Sequence, residues 1–340
     1  MNENEKRAPD KRSGSAEPLQ LLGLTALVAA GGWIVYSASM IDHNLPLPLA
    51  IESERRLFTG GSAGLLNYYV DESGGGRPLV LIHSINAAAS AYEMRPIFEH
   101  YRGRRLVYAI DLPGFGFSER SDRYYSRDLY VGAIRDFLED VVSEPADVVA
   151  LSLSSEFSAL VAKETPDRIH SLALISPTGL SESEGDTELG ENRRTGRSEA
   201  LLNLFSFPLW SQAFYDLLVT WPSIRYFLGK SFDGAVDEGL ADYAYLSSHQ
   251  PGARYAPLHF VSGQLFTPGI LSATYSRLER PALIVYDKDP FTSFESLPDL
   301  LLDQPSWSAA RITPTSGLPQ FEQMDVLAKV LDNYWHSLEK

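Results

Sequence analysis

The sequence contains no cysteine. Disulfides, thiolate zinc sites and a cysteine nucleophile are therefore excluded. Positive charge is scarce: 29 Lys and Arg stand against 44 Asp and Glu, a formal charge of −15. That balance argues against a nucleic-acid partner, because gripping a phosphate backbone needs a basic footprint. There is no H-E-x-x-H metal motif, no N-x-[ST] glycan acceptor and no glycine fingerprint of a dinucleotide site. Gly229-Lys230-Ser231 matches half of a phosphate-binding loop, but Ile224 stands where the first glycine belongs and no buried strand precedes it. Neither a cofactor nor a metal is expected. What remains is an ordinary globular composition, 44% apolar and 21% charged over 340 residues. At about 150 residues per domain that length suggests two domains, although α/β folds of this size also form one core.

Residues 1–17 are polar and mixed in charge and read as a disordered tail. No charge occurs from Pro18 to Ile41, and Leu21–Met40 meets the roughly 20-residue length needed to cross hydrocarbon. Gln20, Gly23, Thr25, Gly31 and Gly32 weaken the run, whereas Trp33 and Tyr36 suit a membrane interface. The leading expectation is a single-pass membrane anchor over residues 18–41. A signal peptide cleaved near Ser37-Ala38-Ser39 and a helix packed on the core are the alternatives. Four basic residues precede the run, which places the main domain on the non-cytoplasmic side.

Beyond residue 50 the chain reads as α/β. Pro78–Ile82, Leu106–Ile110, Asp147–Leu151, Ser171–Ile175 and Pro281–Tyr286 are short runs rich in Val, Ile and Leu. They do not alternate apolar with polar, which suits strands buried on both faces of a parallel sheet. Glu54–Thr59 and Leu65–Asp71 form a leading hairpin. Helical spacing recurs in Leu129–Val141 behind the N-cap Ser126, and in Val326–Tyr334. The expected architecture is a mostly parallel twisted sheet covered by helices, its core split into residues 50–178 and 279–340. Residues 179–278 break the alternation and read as an inserted helical lid, with Ser181–Arg197 as a mobile loop.

Chemistry on such a sheet sits at the carboxyl ends of the strands. At one such end, Ala150-Leu151-Ser152-Leu153-Ser154 places small residues two before and two after Ser152. A nucleophile elbow needs that spacing, since larger neighbours would clash on the strained turn. Ser152 could equally be the N-cap of the following helix. After the first buried strand comes His83-Ser84-Ile85-Asn86, and after the next comes Asp111-Leu112-Pro113-Gly114-Phe115-Gly116-Phe117-Ser118. In this order the segments resemble the α/β-hydrolase fold superfamily, over roughly Arg55–Lys340.

The resemblance implies Ser152 as nucleophile, with oxyanion donors from the Ser84–Ile85 segment and from Leu153. It implies the triad acid in the turn Tyr286-Asp287-Lys288-Asp289-Pro290, at Asp289 by register or else at Asp287. The histidine position falls in Arg311–Glu322, yet Gly317, or a one-residue deletion before Leu318, stands there, and Gln320 cannot serve as a base. Seven histidines are available elsewhere. His83 would order the oxyanion loop, and His249 and His259 could reach down from the lid. Glu156 is a further candidate base, one turn beyond Ser152. Two functions follow: a serine hydrolase acting on an ester or related acyl bond of a small apolar substrate with a non-standard triad, or an inactive, membrane-tethered module that binds a ligand or partner protein. Loss of one triad member leaves only roughly 10³–10⁴-fold acceleration over water.

Overall fold

The computed structural model describes residues 16–181 and 188–339. Two compact units are present, Met1–Ile41 and Asp42–Lys340. The described residues of the first form one helix, α1 (Ala16–Met40), which begins inside the stretch read as a tail. The rest of that stretch, residues 1–15, lies outside the described residues. The expected membrane crossing at 18–41 falls on this helix, and among the described residues no helix is long and apolar enough to cross a membrane.

The second unit is built on one eight-stranded sheet. Its strands are β1 (Glu54–Gly60), β2 (Gly64–Asp71), β3 (Leu79–Ile82), β4 (Val107–Asp111), β5 (Ala146–Leu151), β6 (Ile169–Ile175), β7 (Ala282–Tyr286) and β8 (Trp307–Arg311). The order is β1-β2-β4-β3-β5-β6-β7-β8. β1 and β2 pair antiparallel, β2 joins β4 antiparallel, and every pairing from β4 to β8 is parallel. The five apolar runs supplied β3 to β7 and the leading hairpin supplied β1 and β2, which leaves β8 unread. Trp-Ser-Ala-Ala-Arg carries no such run because β8 is an edge strand, paired only to β7 and partly exposed.

Helices cover both faces. Val80, Ile82, Val148, Leu172 and Leu174 pack with Ile134 and Phe137 of α3 (Arg127–Phe137) and Phe157 of α4 (Ser154–Glu164). The intervening residues Leu79, Leu81, Val149, Leu151 and Ile175 pack on the opposite face, against Phe98 of α2 (Arg95–Tyr101) and Leu327 and Leu331 of a C-terminal helix. Each buried Leu, Ile, Val or Phe contributes about 1.5–3 kcal/mol, so neither face tolerates a polar alternation. Ser126 caps α3 by accepting the N–H of Leu129 at 3.2 Å.

Between β6 and β7 the described residues form α5 (Glu188–Phe205), α6 (Ser211–Leu218), α7 (Trp221–Lys230), α8 (Glu238–Ser248), α9 (Tyr255–Val261) and α10 (Ile270–Ala273). The loop expected over 181–197 is therefore corrected: residues 188–197 are helical, while 182–187 lie outside the described residues. No proline interrupts residues 178–207, and the apolar turn at Leu201–Phe205 lets the helix propagate backwards over polar sequence. The chain closes with α11 (Leu297–Asp303), α12 (Pro319–Glu322) and α13 (Met324–Leu338).

The Asp111–Ser118 segment is a structural clasp. Asp111 is buried and accepts from Ala91 N (2.9 Å), Asn67 Nδ2 (2.8 Å) and Phe117 N (3.0 Å). Ser118 Oγ donates to the Asp111 carbonyl at 2.5 Å and accepts from Asn67 N at 2.8 Å. Gly116 closes the turn at φ +53, where an added Cβ would lie 2.0 Å from Asp111 Cγ. Gly116→Ala is therefore expected to lose about 3 kcal/mol or more of stability, from left-handed backbone strain plus overlap. Urea denaturation reads this directly, and a loss below about 1 kcal/mol would contradict the clasp.

Candidate active site

Ser152 follows β5 and precedes α4, and its backbone is left-handed at φ 54. A serine in that region stores about 1–3 kcal/mol of strain, so the surroundings must hold it. They do so through Ser152 N, which donates to Ile175 O of the neighbouring strand at 2.9 Å, and through Ser155 N, which donates to Ser152 O at 3.0 Å. Ala150 and Ser154, two residues away on each side, are fully buried. The extra hydroxyl at 154 is accommodated because Ser154 Oγ donates to His83 O at 2.5 Å. The capping alternative does not apply: no side chain caps the start of α4. Ser152 is half-buried, and among the described residues nothing hydrogen-bonds its Oγ.

The oxyanion segment is braced from below. Glu93 is buried and accepts from Ser84 N (2.8 Å), Ser84 Oγ (3.0 Å) and Asn86 Nδ2 (2.7 Å). The Ser84 N–H is thus already used. Ile85 N–H and Leu153 N–H have no acceptor among the described residues. Burial pushes the Glu93 carboxyl above the usual range, against the pull of those donors. Sequence reading missed Glu93, since nothing in a short apolar stretch marks one carboxylate as buried. His83 is also buried. Its Nε2 accepts from Leu112 N at 2.9 Å, so Nδ1 carries the proton and donates to Ser84 O at 2.6 Å. Burial lowers its pKa to about 4. With both nitrogens engaged, His83 orders the loop and takes no proton from Ser152.

The two aspartates after β7 separate cleanly. Asp287 is buried and joins β8 to its following turn, accepting from Arg311 Nε at 2.8 Å and Thr315 N at 3.0 Å. Burial opposes its charge, but these bonds outweigh burial and hold the carboxyl below its usual range. Asp289 instead accepts from Ser176 Oγ at 2.5 Å and Phe291 N at 2.8 Å. Burial raises its pKa despite the Ser176 bond. Ser176, directly after β6, is also left-handed at φ 46.

Gly317 lies against this pair. Its φ is +113, and a Cβ there would sit 2.9 Å from Asp289 Oδ2 and 3.8 Å from Ser176 Oγ. The glycine at the expected histidine position therefore lies beside the expected acid, on a backbone that disfavours any side chain. Gln320 is buried and donates to Glu93 O at 3.1 Å. Glu156 is buried too, accepting from Thr178 Oγ1 and from Thr267 N at 2.7 Å. In the lid, His249 Nδ1 bonds Tyr245 O at 2.7 Å and His259 Nδ1 bonds Tyr255 O at 3.0 Å. His43 pairs with Asp216 and His170 with Asp147. None of these side chains hydrogen-bonds Ser152. Among the described residues no cluster of His, Cys, Asp and Glu could hold a metal ion.

The burial of His83 gives a pH dependence. Its folded pKa of about 4 lies below the ordinary histidine value of 6.5, so its contribution is present above pH 6.5 and lost as pH falls towards 4. At 1.36 kcal/mol per pKa unit the loss is about 3 kcal/mol. Glu93 and Asp111 are shifted upward and act in the opposite sense. The measurement is therefore the stability gap between the native protein and His83→Gln by chemical denaturation. That gap is expected to shrink by up to about 3 kcal/mol between pH 7.5 and pH 4; a gap constant over this range would refute a buried neutral imidazole.

Comparison with known proteins agrees with this fold. The chain is 28% identical over 208 residues to the dihydrolipoyllysine-residue acetyltransferase component of the acetoin cleaving system of Cupriavidus necator, covering 57% of this chain and 52% of the relative. The chain thus spans about half the length of that curated relative. Among solved structures, a serine hydrolase involved in carbazole degradation superposes with a TM-score of 0.62 at 18% identity, covering 83% of this chain and 98% of that one. A membrane phospholipase A superposes with a TM-score of 0.64 at 17% identity, covering 95% and 99%. At such identities the superpositions show the fold alone. The model of the alpha/beta hydrolase family matches residues 79–330, spanning strands β3 to β8 and the Ser152 elbow, and the chain belongs to that family.

Proposed function

We propose that this chain is a hydrolase-fold protein that binds a small apolar acyl compound at the Ser152 elbow without turning it over through a Ser-His-Asp relay. The carrying observation is the bond between Ser176 and Asp289, closed over Gly317. A serine hydroxyl is a weak nucleophile until a base takes its proton. Here the acid that would orient an imidazole holds a hydroxyl instead, and among the described residues no base hydrogen-bonds Ser152. The Ile85 and Leu153 N–H groups supply oxyanion donors for a bound carbonyl.

A second reading keeps catalysis, with a base delivered from an unusual position. It is favoured by the strained backbone of Ser152, which persists at φ 54 although glycine would relieve it. A disconnected relay and a working one respond differently to loss of the acid. On the first reading Asp289→Asn leaves any p-nitrophenyl acetate hydrolysis within about twofold, and a fluorophosphonate labels Ser152 weakly or not at all. A working relay loses about 10⁴-fold. Rapid labelling abolished by Ser152→Ala, together with a large Asp289→Asn loss, would overturn the binding reading. Gly317→His is not expected to create the relay by itself, because its Cβ meets Asp289 on a glycine-favouring backbone; labelling should stay at the native level while stability falls by about 1–3 kcal/mol.

A further inference from the structure

We infer that the outer face of the lid docks on the surface of a zwitterionic lipid bilayer. Phe207 and Leu209 in the turn between α5 and α6, Leu217 of α6, and Trp221, Tyr226 and Phe227 of α7 are each between 36% and 65% exposed. The inner side of α7 is already filled: Ile224 is buried with Tyr215 and Val219, and Leu228 packs against the same cluster. The helix therefore carries a second apolar side that its own fold does not use. Large apolar residues exposed together mark an interaction surface. This one does not depend on what Ser152 binds.

Charge selects the occupant. The chain carries a formal charge of −15, yet residues 200–232 hold one acid, the buried Asp216, and two bases, Arg225 and Lys230. The nearest exposed acids along the chain, Glu199 and Asp233, bracket that segment. The exposed acids of α8 that approach it, Glu238 and Asp242, act on Arg225. Lys230 Nζ stands over Tyr226, 4.5 Å from the ring centroid. Aromatic rings mixed with basic side chains settle at the boundary between headgroups and hydrocarbon. A second copy of the chain would bring a further −15, and like charge opposes association. A zwitterionic layer has no net charge; it offers phosphate to Lys230 and hydrocarbon to the rings.

The chain also enters its second unit at this lid. His43 Nε2 lies 3.0 Å from both carboxylate oxygens of Asp216 in α6. Gln250 Nε2 donates to Leu45 O at 2.7 Å, and Leu45 N donates to His249 O at 3.4 Å. A row of rings leads from this strap to the face: His43 and His249 at 6.3 Å, His249 and Tyr245 at 4.1 Å, Tyr245 and Trp221 at 5.0 Å. The strap follows the charge-free run Pro18–Ile41, so chain connectivity joins that run to the exposed face through a few residues. Lack of charge lets either part approach hydrocarbon.

The absence of cysteine gives a clean test. In the full chain, Tyr226→Cys and Lys329→Cys each create a single labelling site, one on the face and one on an exposed position of α13. Each carries an environment-sensitive nitrobenzoxadiazole dye, and the probe is phosphatidylcholine vesicles with or without a spin label in the upper acyl chain. On vesicles the dye at 226 is expected to shift its emission to the blue and to be quenched about twofold or more by the spin label, while the dye at 329 emits as in water. Leu217→Glu and Phe227→Glu, both at exposed positions outside the core, should each raise the lipid needed for a half-maximal shift about tenfold. The assignment fails if the dye at 226 stays in water on vesicles that sediment the chain, if the chain does not sediment with vesicles, or if neither glutamate moves the half-maximal lipid. A blue shift at 226 that grows with protein concentration in the absence of lipid would give the face to a second copy and would equally overturn it.

Discussion

The hydrogen bond from Ser176 to Asp289 sets the chemistry available to this site. β5, β6 and β7 lie side by side, so the residues that follow them, Ser152, Ser176 and Asp289, are neighbours at one edge of the sheet. Adjacent strands are about 4.8 Å apart, which puts the elbow and the acid about 10 Å apart at the level of the backbone. An imidazole bridges such a gap in an intact relay. Here Ser176, on the middle strand, supplies the hydroxyl that satisfies Asp289, and Gly317 lets the last turn settle against the pair. A closed contact thus joins the two residues.

Much of the fold was legible in the sequence for one physical reason. A sheet buried on both faces cannot carry polar residues in its strands, so five of the eight strands announce themselves as short runs of Val, Ile and Leu. β8 does not, because an edge strand keeps one side partly exposed. The helix at 188–205 was also hidden, since its polar half has no apolar period and is held by the apolar turn that follows.

The contacts around the expected site were opaque in the sequence. The resemblance singled out Ser152, Asp289 and Gly317, and the structure puts Gly317 beside Asp289. That Ser176 would take the carboxylate could not be read, because it depends on a left-handed residue after β6 with no motif of its own. Glu93 was equally invisible. It sits 9 residues from Ser84 along the chain, yet it accepts both the N–H and the hydroxyl of that residue. Its consequence is specific: Ser84, one of the expected oxyanion donors, has its N–H committed, whereas the Ile85 N–H has no acceptor among the described residues.

These braces bear on why the elbow persists without a relay. Asp111, His83, Ser154 and Glu93 are buried and mutually supporting, and removing any of them would leave a buried donor or acceptor without its partner. Stability alone therefore accounts for the shape of the site. It does not account for Ser152. That hydroxyl supports no neighbour among the described residues, and its backbone occupies a region where glycine would be less strained. Packing would favour glycine there, so a serine held at φ 54 with its oxygen unspent is best explained by contact with something that enters from solvent. That contact is the physical basis for assigning the elbow to ligand binding.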